Sequence, residues 1–195
     1  MKRALGLVLI CCLAACNGNS SATGPDGDGS GDDKGKVVEL GGLKSTTPAD
    51  WKEEKPSGSL RLLQFRVPHA ENDPSDAELV VFYFGKGGSG TVEANIKRWK
   101  DKFVAPKGKT IDDVTKVDKF KVSGHDVVLV DISGTYLFQP PGKGSDLKKE
   151  ARPDHRMLAV MLETGEGPYF ITLIGPERTI ERHQKGFVDW VKNFK

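Results

Sequence analysis

The sequence predicts an α+β domain: a largely antiparallel β-sheet with helices packed on its faces, in the order β-β-α-β-β-β-β-α. Three observations carry this. Strand-like runs follow one another across short turn signals such as Ser123-Gly124-His125-Asp126 and Thr164-Gly165-Glu166-Gly167-Pro168, which are hairpin connections. Helical periodicity is confined to two segments. Most of the strands between and around those two segments are joined by hairpins, which gives a largely antiparallel sheet.

Val37–Leu40 reads as a short strand, and Asp50-Trp51 opens a turn with Pro56-Ser57-Gly58 behind it. Leu60–Val67 alternates, with Leu63, Phe65 and Val67 on one face and Gln64 and Arg66 on the other, and Pro68 ends it. Ala77–Phe84 is almost continuously apolar, the pattern of a central strand covered on both sides. A helix follows over Thr91–Phe103, where Val92, Ile96, Trp99 and Phe103 form one stripe and Glu93, Lys97, Arg98, Lys100 and Asp101 lie off it. Pro106 and Gly108 mark its exit.

Val114–Val122 and Val127–Phe138 read as paired strands. Gln139–Asp154, with Pro140-Pro141-Gly142 and mixed charges, reads as an exposed loop. Met157–Glu163 and Tyr169–Ile174 form a second hairpin, which Gly175-Pro176 breaks. Thr179 is placed to cap a final helix, whose stripe is Ile180, Phe187, Val191 and Phe194, widened by Val188 and Trp190.

Ahead of this domain, Lys2 and Arg3 precede an apolar run from Ala4 to Ala15. A spanning helix needs roughly 20 apolar residues, so the run fits a secretory leader. It ends in Leu13-Ala14-Ala15-Cys16, which resembles the lipobox of bacterial lipoproteins. Cys12 follows Cys11, and Cys11 follows bulky Ile10, so the resemblance selects Cys16. It implies cleavage after residue 15, a thioether-linked diacylglycerol on Cys16 and a further palmitate-type acyl chain on the freed amine. Asn17 stands where Asp would retain a lipoprotein in the inner membrane, which in a Gram-negative cell implies the periplasmic face of the outer membrane.

Residues 16–36 are rich in Gly, Ser, Asp and Asn and read as a flexible tether. Its mean reach is roughly 25 Å, taking about 5–6 Å per square root of residue number. Residues 37–195 then form a single globular domain. With the leader removed, the 29 Lys+Arg of the chain become 27, equal to its 27 Asp+Glu, so no basic excess points to nucleic acid. All three cysteines lie in the leader or at the lipid site, which leaves no disulfide or thiol nucleophile for the domain.

The element order resembles the PsbP-like fold, shared with the Mog-type Ran-binding proteins. Glu93–Trp99 and Tyr169–Pro176 are also similar to segments of uncharacterised secreted or lipoprotein domains of bacteria. The resemblance implies a fold and places no family motif on any residue.

Gly85, Gly87, Gly88, Ser89 and Gly90 fall in a G-x-G-x-x-G match between a strand and a helix, a candidate anion- or ligand-binding turn. Dinucleotide use is disfavoured because the helix leads into hairpins and no acidic residue ends a following strand. Gly108-Lys109-Thr110 lacks the P-loop's first glycine, since Phe103 stands there. Asp26, Asp28, Ser30 and Gly31 imitate an EF-hand start, but Val37 stands at the bidentate position. His69, His125, His155 and His183 show no metal-ligand spacing, and no G-x-S-x-G elbow occurs. Most aromatics sit at core spacing, and Trp51 and Tyr136, near element ends, are the candidate ligand-contact aromatics.

These readings predict a non-catalytic binding or accessory lipoprotein of the cell envelope. Its partners would be the membrane, through Cys16, and an envelope protein or cell-wall component met by a sheet edge or by the loop Gln139–Asp154. No cofactor or metal is expected. An envelope hydrolase and a small-ligand or metal binder are the alternatives.

Overall fold

A computed structural model describes residues 34–88, 90–140 and 148–195. Cys16 and its lipobox, most of the tether with its Asp26–Gly31 acidic run, and Ser89 lie outside the described residues. The described residues fall in one compact unit that ends at Lys195.

Two short strands come first, β1 (Val37–Leu40) and β2 (Leu43–Thr46), and they pair antiparallel as a separate two-stranded sheet. Gly41 and Gly42 make the turn at φ 56° and 84°, backbone space that glycine enters without steric cost. Only β1 is visible as a strand in the sequence, because Lys44 and Thr46 dilute the alternation of β2. Lys36, read as the end of the tether, is already docked: its N–H donates to Thr47 Oγ1 at 3.0 Å and its carbonyl accepts from Thr47 N–H at 2.9 Å.

The main sheet contains β3 (Lys52–Glu54), β4 (Arg61–Val67), β5 (Ala77–Tyr83), β6 (Phe103–Val104), β7 (Thr115–Val122), β8 (His125–Phe138), β9 (Glu150–Leu162) and β10 (Tyr169–Pro176). Their spatial order is β3-β4-β5-β10-β9-β8-β6, with β7 sharing the outer edge of β8. Every pairing is antiparallel. Helix α1 (Val92–Lys100) packs on one face and α2 (Glu177–Lys192) on the other. The class is therefore α+β with a mostly antiparallel sheet, as the hairpin signals require. No helix of the described residues is long and apolar enough to cross a membrane.

Both sheet faces are covered in the centre, which explains the near-continuous apolar runs there. One face sends Phe65, Leu79, Leu129, Leu158, Val160 and Leu173 against Ile180, Phe187, Trp190 and Val191 of α2, and Val38 and Leu40 of the small hairpin close its margin. The other sends Val128, Val130, Ile132, Met157, Ala159 and Phe170 against Trp99 of α1 and Phe103. Full burial of one such side chain contributes about 1.5–3 kcal/mol.

Four expectations are corrected. The first helix ends at Lys100, not Phe103, because Phe103 pairs with Tyr136 as β6 and buries its ring there. The expected loop Gln139–Asp154 is strand from Glu150 onward, where polar residues continue the β8–β9 ladder past the core. Gly175-Pro176 does not break its strand: both residues pair with β9 and the helix begins directly after them. Thr179 is not the cap of α2. Pro176 occupies that position without a side-chain bond, and the cap comes from a distant loop.

Candidate functional site

That distant cap is Asp73. Its Oδ2 accepts from Thr179 N–H at 2.8 Å and from Thr179 Oγ1 at 2.6 Å, while Oδ1 accepts from Arg178 Nε at 3.1 Å. A carboxylate here answers both the free N–H groups and the positive end of the helix. Burial pushes the Asp73 carboxyl up, but the Thr179 and Arg178 bonds outweigh it and hold it below the usual carboxylate range.

The same helix start forms one wall of a cleft of about 950 Å³, whose other wall is the beginning of β9. A smaller cavity of about 250 Å³ adjoins it and shares Ser75, Arg152 and His155. The β9 wall is shaped by a bulge. His155 pairs with Gly134 and Arg152 with Tyr136, so Pro153 and Asp154 together oppose Thr135 alone. Asp154 takes the extra turn at φ 51°, an uncommon conformation for a residue other than glycine.

The bulge sets His155. Its Nδ1 lies 2.8 Å from the Pro153 carbonyl, which only accepts, so Nδ1 carries the proton. In the neutral ring Nε2 is then the acceptor. No hydrogen bond to it is found among the described residues, and the buried side-chain atom without a partner among them is Trp190 Nε1, not this one. The ring stacks on Tyr136 at 6.2 Å with planes 19° apart. Burial, followed by the Glu78 carboxylate, pushes the Tyr136 phenol up, with Arg152 and Arg61 acting against them.

The arginines of the cleft are engaged in fixed pairs. Arg156 Nε and Nη2 bind Asp131 at 2.8 and 2.6 Å, and Nη2 also reaches Gln184 Oε1 at 2.9 Å. The bond to Asp131 raises the guanidinium's already high pKa further, against the opposing effect of burial. Arg152 pairs with Glu150 through Nε at 3.1 Å and lies 3.7 Å over the Phe138 ring.

Of the residues singled out from sequence, Tyr136 lines the smaller cavity, half-buried. Trp51 belongs to the core: it is 4% exposed, packs edge-on against Trp190 at 5.7 Å and donates from Nε1 to His183 Nδ1 at 3.4 Å. The glycine turn has left-handed φ at Gly85, Gly87 and Gly90. A side chain at Gly88 would meet the Phe84 carbonyl at 2.4 Å, and in the first turn of α1 the Ala94 N–H is held by Thr91 Oγ1.

The histidines separate. His69 contacts Asp76 at 2.6 Å, His183 bridges Trp51 and the Pro68 carbonyl, His125 opens β8, and only His155 reaches the cleft. No group of three or more His, Cys, Asp or Glu is placed to hold a metal ion among the described residues. Asp73, Arg152 and His155 were not singled out as site residues from sequence, since Arg-Pro-Asp-His reads as loop. Its one local signal is a proline inside polar residues just before an apolar strand.

No protein-family model and no curated protein sequence matches the chain. Solved structures similar to it include a Pseudomonas aeruginosa protein of unknown function, PA94, called a putative regulator. That alignment has TM-score 0.42 and 14% identity and covers 81% of this chain and 94% of that one. The cyanobacterial PsbP (CyanoP) of Synechocystis sp. PCC 6803 aligns with TM-score 0.49 and 14% identity, over 88% of this chain and 99% of that one. A Bacteroides thetaiotaomicron VPI-5482 protein aligns with TM-score 0.42 and 15% identity, over 83% and 48%. With all three scores below 0.5, nothing about this chain's activity follows from them.

Proposed function

We propose that this protein is a non-catalytic binding domain, carried into the bacterial envelope on a lipid anchor at Cys16 and held off the membrane by the tether of residues 16–36. The observation that carries the binding half is the cleft at the start of α2, whose arginines are locked to Asp73, Asp131 and Glu150 while its space stays open. The lipobox Leu13-Ala14-Ala15-Cys16 supports the anchor, and Asn17 favours the periplasmic face of the outer membrane. The partner class is an envelope protein or cell-wall component.

Two measurements test this. A ligand screen on the full-length chain is expected to raise the melting temperature saturably for at least one chemical class, without turnover. Hydrolysis of an ester, glycoside or peptide substrate that disappears in His155→Ala overturns the non-catalytic reading. Metabolic acyl labelling is expected to vanish in Cys16→Ala; labelling and membrane association that survive the substitution overturn the anchor.

A further inference from the structure

We propose that the corner of the domain where Leu60, Leu62 and Phe84 stand beside Arg61, Arg98 and Lys102 rests on an anionic phospholipid surface. This depends on the lipid anchor at Cys16 and adds a second contact between the protein and its membrane.

The first observation is apolar exposure. Leu60 is 65% exposed, Leu62 45% and Phe84 37%, and all three fall where β4 begins beside the end of β5. A bulge in β4 contributes to this. Arg61 pairs with Phe82 and Leu63 with Val81, so Leu62 is an extra residue outside the ladder. Leu60 stands in the turn closed by the Arg61 N–H on the Gly58 carbonyl. Phe84 follows the last residue of β5 and stacks on Phe82, the partner of Arg61, at 6.1 Å. Single exposed apolar residues are ordinary, whereas three at one corner mark an interaction surface.

The second observation is charge. Arg98, in the last turn of α1, and Lys102, just past it, are four residues apart, and Arg61 lies between the two exposed leucines. Burial, then the Arg98 and Arg61 charges, push the Lys102 amine down, so the three cations are close enough to act on one another. Of the three, Arg61 has a carboxylate, Glu78 at 2.7 Å. Arg98 donates to the neutral amide oxygen of Asn95, and the half-buried Lys102 has no side-chain hydrogen bond or ion pair among the described residues. A half-buried cation facing two others costs stability, and an anionic surface supplies the missing counter-charge. Leucine and phenylalanine entering the headgroup boundary while cations meet phosphate is how a peripheral surface holds a bilayer. The chain ahead of the domain selects this occupant over another. A tether with a mean reach of roughly 25 Å keeps the domain beside the bilayer that holds Cys16, so the lipid surface is present at high local concentration.

The test takes the protein purified from bacterial membranes and mixes it with vesicles of phosphatidylcholine alone or of phosphatidylcholine with phosphatidylglycerol. Expected is flotation with both vesicles, through the anchor. Amide hydrogen exchange over residues 58–62 and 84–88 is expected to slow about fivefold or more on the anionic vesicles only. The slowing should disappear at high salt and in the double variant Arg98→Gln/Lys102→Gln. The comparison of the two vesicles uses the wild type and depends on no variant folding. Equal exchange on the two vesicles overturns the proposal and leaves the anchor in place. Slowing that is absent on pure lipid and present on outer-membrane vesicles with their proteins overturns it in favour of a protein partner. Failure to float with either vesicle removes the anchor, and the proposal with it.

Discussion

The face of the sheet under α2 and the face under α1 are built from the same kinds of side chain, yet the first is closed over its centre and open only at the cleft by the start of α2, while the second keeps a cavity beside Tyr136 and His155. Helix length explains much of this. At about 1.5 Å per residue, the 16 residues of α2 span about 24 Å and the nine of α1 only about 13 Å. Seven strands side by side, spaced about 4.8 Å apart, make a sheet about 29 Å across. The α2 face gains further cover from the β1–β2 hairpin and Trp51. The α1 face has no such addition, and Tyr136, Glu78 and His155 are left around a cavity.

Two histidines show what this does to chemistry. His183, on α2, donates from Nε2 to the Pro68 carbonyl at 2.8 Å and accepts at Nδ1 from Trp51. Both nitrogens serve the fold. His155 has one nitrogen tied to Pro153 and one free beside open space. Burial is similar, at 6% and 9% exposed, so the difference lies in what the neighbouring elements bring to each ring.

The contrast can be broken by substitution. The largest loss is expected for Asp73→Ala, which uncaps α2 and strands Thr179. Stability should fall by about 2–3 kcal/mol in urea denaturation. Because the folded carboxyl titrates below the ordinary value of about 3.9, its contribution is complete above about pH 4 and is lost as pH falls through the lower folded value. The variant should therefore lose less stability than the wild type between about pH 4 and pH 2. A loss under half a kcal/mol at neutral pH would mean that α2 is held by packing alone.

Gly134→Ala comes next, at about 2 kcal/mol. The glycine has φ 150°, and a Cβ there would sit 2.5 Å from the Val104 carbonyl, so β6 must move off β8. Amide exchange should rise at Phe103 and Val104 and stay unchanged along α2. Uniform exchange would show that the two faces do not open independently.

Trp51→Phe is expected to cost about 1.5 kcal/mol, from a small void and the lost donor to His183. The measurable signature is a changed His183 imidazole spectrum with His155 unaffected.

Lys102→Met should act in the opposite sense, stabilising by up to about 1 kcal/mol. Burial, then the Arg98 and Arg61 charges, lower the Lys102 pKa, and it has no carboxylate partner among the described residues. The folded state thus binds the proton less tightly than the unfolded one. The cost is present below the folded pKa and disappears as pH rises toward the ordinary lysine value of about 10.4. The wild type should gain stability on that approach and the variant should not. A destabilised variant would mean that the lysine stem, not its charge, matters to the α1 face.

Much of the architecture is legible in the chain because it is written in near neighbours. The six longer strands and both helices show their period within a few residues, as Ala77–Tyr83 and Ile180–Phe194 do. The short strands β2, β3 and β6 are not legible, since two to four residues hold too little pattern and they form by pairing. Trp51 shows the same limit from the other side: its place beside a turn suggested a surface aromatic, and only the approach of α2 makes it core.

By itself the sequence determined the α+β class, the two helical stripes, the near-neutral charge once the leader is set aside, and the absence of cysteine from residues 37–195. The tertiary structure decided the strand order, the bulge at Pro153-Asp154, the cap that Asp73 gives to Thr179 across 106 residues, and which histidine faces a cleft. The physical reason is range. Periodicity and turn chemistry act between residues a few positions apart, whereas a cap, a cavity or a free nitrogen depends on which distant elements the packed sheet brings together.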